Sequence, residues 1–179
     1  MIIIVDNFLT KEECNSLIQM WLDNQHILSQ WPEECKQTCS YHIKLIESHD
    51  RENYFYPLDC NPEAILQNTF YKDALLRMEL ESQKHFGNHV MMHWGELKRN
   101  DKGHYHKFHK DMARPDTILS SIVYLNDEFQ GGHTIFEDGT SIAPVPGRMV
   151  IFDGMQYLHG ASQNIGGFRY TIPIWYKSK

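Results

Sequence analysis

The stretch 103–111, "GHYHKFHKD", concentrates side chains that can hold a metal or move a proton: His104, His106, His109 and Asp111. In an extended segment residues i and i+2 point the same way, so His109 and Asp111 project from one face as an imidazole and a carboxylate converging on a point. A third ligand would complete a two-histidine, one-carboxylate facial set, which suits Fe(II) and leaves adjacent coordination positions open. That ligand should come from a late strand returning beside the first. His159, in "YLHGAS", lies 48 residues beyond Asp111 and is the last histidine of the chain. His133 competes for the role, but it follows Gly131-Gly132, where a strand mouth is expected.

Ten residues past His159 comes Arg169, inside "FRYTIPIWY". Alternation puts Phe168, Tyr170, Ile172, Ile174 and Tyr176 on one face of this strand and Arg169, Thr171, Pro173 and Trp175 on the other. An arginine on the inner face of a β-barrel must find an anion, because an unpaired buried charge is very costly. A guanidinium suits a carboxylate. The alternative is a salt bridge to one of the chain's own 23 acidic residues.

The elements that must position these residues are read from pattern. Ile2–Val5 is a β-branched run that predicts a buried strand. Thr10 with Glu13 forms a capping box, and Cys14, Leu17, Ile18, Trp21 and Leu22 follow at helical spacing, predicting a helix over 11–24. Residues 30–60 carry turn residues and charge around a possible strand at 41–47. Asn61-Pro62 opens a second helix whose apolar face runs through Ile65, Leu66, Thr69, Phe70, Leu75, Leu76 and Leu80, with Gly87 as its stop. From there the pattern is strands, at about 89–98, 104–112, 117–126, 133–137, 142–145, 148–153, 157–162 and 168–177, separated by Gly and Pro turns. The fold expected is α+β and mainly β: a double-stranded β-helix, or jelly roll, with the N-terminal helices packed on the larger sheet. Residues 1–179 read as one domain, with 1–88 as support and 89–179 as the jelly-roll core.

Composition removes several classes. The net charge is −6, and basic residues form only short groups, Lys98-Arg99 and the set Lys102, Lys107 and Lys110, so an extended nucleic-acid surface is not expected. The apolar N-terminal run is too short for a membrane span and has no charged leader, so the expectation is a cytoplasmic protein with free thiols at Cys14, Cys35, Cys39 and Cys60. Cys35-x3-Cys39 has no second pair to complete a zinc site.

Residues 103–176 resemble the Fe(II)/2-oxoglutarate dioxygenases of the prolyl 4-hydroxylase type. The carrying segments are "GHYHKFHKD", "SSIVYLND", "GGHTIF", "PGRMVIFD", "LHGAS" and "GFRYTIPIWY", and "IVDNFLTKEECNSLI" resembles the opening strand and helix. The resemblance implies that His109, Asp111 and His159 are the iron ligands. It implies that Arg169 binds the distal carboxylate of 2-oxoglutarate with help from Tyr124, and that Trp175 and His106 line the substrate side. The cofactors implied are Fe(II), 2-oxoglutarate and O2, with ascorbate as a further candidate. The implied reaction hydroxylates a C–H bond, foremost in a prolyl residue of a peptide or protein, and releases succinate and CO2. The alternatives are a hydroxylase of a free amino acid or other small molecule, a nucleic-acid demethylase, and a non-catalytic cupin-like binding module. Three positions depart from the family pattern. Asn100 and His106 stand where many members have tyrosine, and Pro173 stands where many have threonine.

Overall fold

Thr10 starts the first helix, α1 (Lys11–Asp23), as the capping box requires. Its hydroxyl accepts from the Glu13 N–H at 3.2 Å, and the Glu13 carboxylate accepts the Thr10 N–H at 2.7 Å. Cys14, Leu17, Met20 and Trp21 are buried along one face. The computed structural model describes residues 1–24, 40–47, 69–111 and 116–179. The expected start of the second helix at Asn61-Pro62, and Cys35, Cys39 and Cys60, lie outside them. The described part of that helix, α2, is Thr69–Phe86, and Gly87 ends it with φ +100°.

Tyr71, Ala74, Leu75 and Met78 of α2 are buried, whereas Leu76 and Leu80, expected on the same face, are about half exposed at 49% and 54%. The apolar stripe therefore lies on the Ala74–Met78 side, and Leu76 and Leu80 face solvent. The Arg77 guanidinium reaches back to the Glu13 carboxylate and the Phe8 carbonyl, so the residue that caps α1 also ties it to α2.

The strands in chain order are β1 (Ile2–Val5), β2 (Ser40–Glu47), β3 (Val90–Asn100), β4 (His106–His109), β5 (Thr117–Tyr124), β6 (Gln130–Gly131), β7 (Thr134–Phe136), β8 (Ser141–Ile142), β9 (Met149–Phe152), β10 (His159–Ala161), β11 (Asn164–Gly166) and β12 (Arg169–Ser178). An antiparallel six-stranded sheet has the order β1-β9-β5-β12-β3-β2, and a four-stranded sheet the order β4-β10-β7-β8. β6 and β11 pair as a small ribbon at positions the pattern reads only as turns. The expected strand at 142–145 closes at Ile142, because Pro144 and Pro146 follow and proline offers no N–H to a ladder. Among the described residues β1 is an edge strand paired only with β9, and Ile4 is 48% exposed, so it is not the fully buried strand that its sequence predicts.

β12 sorts its side chains by alternation. Tyr170, Ile172, Ile174 and Tyr176 enter a core shared with Leu17 and Trp21 of α1 and Leu75 and Met78 of α2. The helices thus cover the outer face of the large sheet. Arg169, Thr171, Pro173 and Trp175 face the other way, into a cavity between the two sheets. A smaller cluster of Tyr124, Phe136, Ile142, Val150 and Phe152 packs beside that cavity. The result is the expected jelly roll with helices on the larger sheet.

Candidate active site

His109 ends β4 and His159 begins β10, and the two are direct partners across the ladder, with ring centres 4.4 Å apart. Asp111 follows two residues after His109, and its N–H is fixed by the Gly154 carbonyl at 2.9 Å. The His109 Nε2 lies 3.5 Å from one carboxylate oxygen of Asp111, and the His159 Nε2 lies 3.6 Å from the other. One ligand atom from each of the three lies within 4.8 Å of the others. Cis donors on an octahedral first-row ion at bond lengths near 2.1 Å stand about 3 Å apart, so this spacing suits a metal.

The tautomers suit it as well. The His109 Nδ1 faces the Lys107 carbonyl at 2.9 Å, and the His159 Nδ1 faces the Tyr157 carbonyl at 3.0 Å. A carbonyl can only accept, so both Nδ1 atoms carry hydrogen and both Nε2 lone pairs are presented to the shared point. Burial opposes charge on Asp111, but a hydrogen bond from His109 when that ring is protonated, the His159 charge, and the contacts from Ser120 and Trp175 hold its carboxyl below the usual range. The same hydrogen bond to Asp111 raises His109 despite burial, and burial lowers His159. The site favours a carboxylate and a cation between two imidazoles.

Arg169 stands on the same cavity wall and is buried. Its Nε donates to the Gly132 carbonyl at 2.8 Å and one Nη to the Asn100 side-chain oxygen at 3.0 Å. The guanidinium lies 5.5 Å from the centre of the Tyr124 ring, and the Tyr124 hydroxyl is bonded to Thr134 at 2.5 Å. Burial pulls the guanidinium's pKa down, with the Tyr124 oxygen opposing, and arginine stays charged at neutral pH. Among the described residues no carboxylate pairs with it, so the internal salt bridge considered as an alternative is not seen there. Asn100, a departure from the family's tyrosine, serves instead to aim Arg169.

The triad, Arg169 and Asn100 line one cavity of about 90 Å³, together with His106, Lys98, Thr171 and Pro173, while Tyr124 is fully buried and off its wall. A second, open chamber of about 260 Å³ adjoins it at His106, His109, Asp111 and Trp175 and is further lined by Trp94, Lys110 and Thr117. His109, Asp111 and Trp175 stand where the two meet, with His159 and Arg169 in the first and Trp94 in the second.

His106 packs 4.1 Å from the His109 ring and lines both chambers, while part of its surface stays open to solvent. Burial of the ring and the like charges of His109 and Lys98 lower its pKa, so the ring is neutral at pH 7. His104, the first histidine of the stretch, whose two alternatives are a structural role and a solvent-facing one, is enclosed and takes no part in the triad. Its carbonyl accepts from the Asn164 N–H at 2.8 Å, which bears out the structural alternative and not the solvent-facing one. His133 takes no part in the triad and faces Ser141 at 3.1 Å. Sequence reasoning missed Ser120, whose hydroxyl donates to Asp111 at 2.5 Å. Counting back by twos from Tyr124 along the same strand would have put it on the cavity face.

Residues 92–177 match the sequence model of the 2OG-Fe(II) oxygenase superfamily, and all seven residues singled out above as candidate site residues lie inside that range. A sequence search among curated proteins found no match. Among solved structures, the viral collagen prolyl hydroxylase of Paramecium bursaria Chlorella virus-1, as its 2OG complex, aligns at 21% identity. It covers 99% of this chain and 96% of that one, with a TM-score of 0.65. A prolyl-4-hydroxylase of Pseudomonas putida aligns at 16% identity over 99% and 92% of the two chains, with a TM-score of 0.69. A Trichoplax adhaerens prolyl hydroxylase, in complex with a hypoxia inducible factor oxygen degradation domain peptide fragment, aligns at 16% identity over 99% and 83%, with a TM-score of 0.61. At these identities the structural likeness is one of fold. The superfamily match upholds the resemblance to 2OG-Fe(II) oxygenases, and with it Fe(II), 2-oxoglutarate and O2 as the cofactors.

Proposed function

We propose that this 2OG-Fe(II) oxygenase domain hydroxylates a prolyl residue in a peptide or protein, with residues 1–179 working as one domain. The observation that carries the oxygenase part is the pairing, in one cavity, of the His109–Asp111–His159 triad with a buried Arg169 that meets no described carboxylate. The prolyl part is supported by the Trp94–Trp175 chamber beside the triad, since aromatic faces suit an apolar ring. Prolyl hydroxylases recur among the structures of the same fold.

In this reading His109, Asp111 and His159 hold the iron through the two Nε2 atoms and the Asp111 carboxylate. Arg169 and Tyr124 fix the far carboxylate of 2-oxoglutarate, and Asn100 and the Gly132 carbonyl keep the guanidinium from swinging away. Bound there, Fe(II), 2-oxoglutarate and O2 supply an oxidant able to replace a C–H hydrogen by hydroxyl, the cosubstrate leaving as succinate and CO2. The protein's own part is orientation and the exclusion of water. Trp175 and His106 stand on the substrate side of the triad, where they aim the C–H bond.

A second reading is a free amino acid or other small molecule as substrate. It is favoured by Lys98, a cation on the wall of the same cavity that could meet a substrate carboxylate. The test is Fe(II)-dependent succinate release from 2-oxoglutarate, with proline-containing peptides set against free amino acids. Hydroxyproline in a peptide supports the first reading. Turnover with free amino acids alone supports the second, and no succinate under any condition would overturn both.

A further inference from the structure

Asp111 is held in an unequal way. Each carboxylate oxygen lies near one imidazole, 3.5 Å from the His109 Nε2 and 3.6 Å from the His159 Nε2, but only the second takes the Ser120 hydroxyl, at 2.5 Å. Ser120 is 4% exposed and stands on β5 in register with Trp175 of β12, which lines the same cavity. The space for this contact exists because residue 154 is glycine. A Cβ there would lie 2.3 Å from both the Oδ2 of Asp111 and the Oγ of Ser120. The Gly154 carbonyl also holds the Asp111 N–H.

The count of metal positions gives this asymmetry a use. Three protein donors and a chelating 2-oxo acid fill five of about six octahedral positions and leave one for O2. A carboxylate that chelated through both oxygens would take that last position. A hydroxyl hydrogen bond to an ionised carboxylate is short and strong, so it fixes that oxygen in place and draws charge from it, which weakens it as a second metal donor. Resting on the metal reading given above, we propose that Ser120, in the room left by Gly154, is a positioning residue that restricts Asp111 to one oxygen on the metal and so keeps the sixth position open. Ser120 touches neither substrate nor cosubstrate in this account and acts through Asp111 alone.

The water content of the metal site reads this directly. The full chain is loaded with Mn(II), and solvent-proton relaxation is measured with and without 2-oxoglutarate. Wild type should show three exchangeable waters, falling to one when 2-oxoglutarate is added. Ser120→Ala should lose one of them, so bound relaxivity drops by about a third without cosubstrate and to near the outer-sphere level with it. Ser120→Cys, which keeps the volume and weakens the donor, should shift the same way, and Ser120→Thr should restore the wild-type count. Ser121→Ala, whose hydroxyl bonds Tyr176 and not Asp111, should leave the count unchanged. Equal relaxivity in wild type, Ser120→Ala and Ser120→Cys at saturating Mn(II) would overturn the inference. Failure of wild type to bind Mn(II) at all would instead overturn the metal reading on which it rests.

Discussion

The ring of His106 lies 4.1 Å from the ring of His109, although the two are three residues apart on one strand. Regular alternation would send them to opposite faces. The partner strand shows how they meet. His109 stands opposite His159 and His106 opposite Ala161, so three steps of β4 match two of β10. That is a β-bulge, and it turns a second imidazole into the cavity. Gly103 has φ +95° but lies before the strand, so the irregularity is within β4 itself and not at that glycine.

This placement predicts a substrate effect without a metal effect. His106→Ala should lower hydroxylation about tenfold, the equivalent of one lost contact of roughly 1.4 kcal/mol. Fe(II) and 2-oxoglutarate binding should stay within about twofold on the same scale. Succinate should then exceed hydroxylated product, because a loosely held C–H bond is missed. Measuring both products side by side decides it. Unchanged coupling would mean that His106 does not contact the substrate.

His109→Ala or His159→Ala should remove a donor at the metal point and weaken Co(II) or Fe(II) binding by about a hundredfold, the scale of two to three kcal/mol. The fold should survive, because the Nδ1 hydrogen bond of each ring is a local one to a carbonyl two residues away. Isothermal titration with Co(II), beside a thermal melt of the metal-free variant, separates the two effects. Full metal affinity in either variant would refute the ligand assignment.

Removing the Arg169 guanidinium should strip the cosubstrate of its charge partner. Breaking a buried ion pair costs about 3–5 kcal/mol, so Arg169→Ala should raise the 2-oxoglutarate requirement a hundredfold or more. Asn100→Ala removes one aiming hydrogen bond and should cost only about 0.5–1.5 kcal/mol, and Tyr124→Phe a similar amount. Metal binding should change little in all three. The ordering is the test, and an Asn100→Ala defect as large as that of Arg169→Ala would contradict it.

What the sequence made legible follows from period. His109-x-Asp111 and the Arg169/Trp175 face of β12 could be placed because a strand repeats every two residues and both segments are regular enough to count along. The bulge between His106 and His109 breaks that count and has no residue signature. In α2 the apolar residues exceed what one face can bury, so pattern alone could not say that Leu75 goes inward and Leu76 and Leu80 outward. Ile2–Val5 reads as a buried strand because β-branched runs do, yet burial depends on a second neighbour that β1 does not have among the described residues. Ser120 and Gly154 matter only through a contact between strand and loop that no local pattern records.

The join between the N-terminal segment and the jelly roll gives a stability prediction. Gly147 has φ +77°, and a Cβ there would sit 2.0 Å from the Leu9 carbonyl oxygen. It cannot move away cheaply. Its carbonyl accepts the Leu9 N–H at 3.1 Å and its N–H donates to the Tyr124 carbonyl at 2.8 Å, while Leu9 itself is buried next to the start of α1. Gly139 is the control, with φ +88° and no atom within 4 Å of where a Cβ would stand. Gly139→Ala should cost only the left-handed backbone penalty, about 1–2 kcal/mol. Gly147→Ala adds a backbone clash to the same penalty and should cost roughly 3–5 kcal/mol in all. At about 2–4 °C per kcal/mol for a chain of this size, the expected fall in Tm is on the order of 10 °C for Gly147→Ala and about 2–8 °C for Gly139→Ala. Thermal melts of the two variants beside wild type measure the difference. Equal shifts would show that the contact between Gly147 and Leu9 is not tight, and that the β1–β9 pairing and the buried side chains hold the N-terminal segment without it.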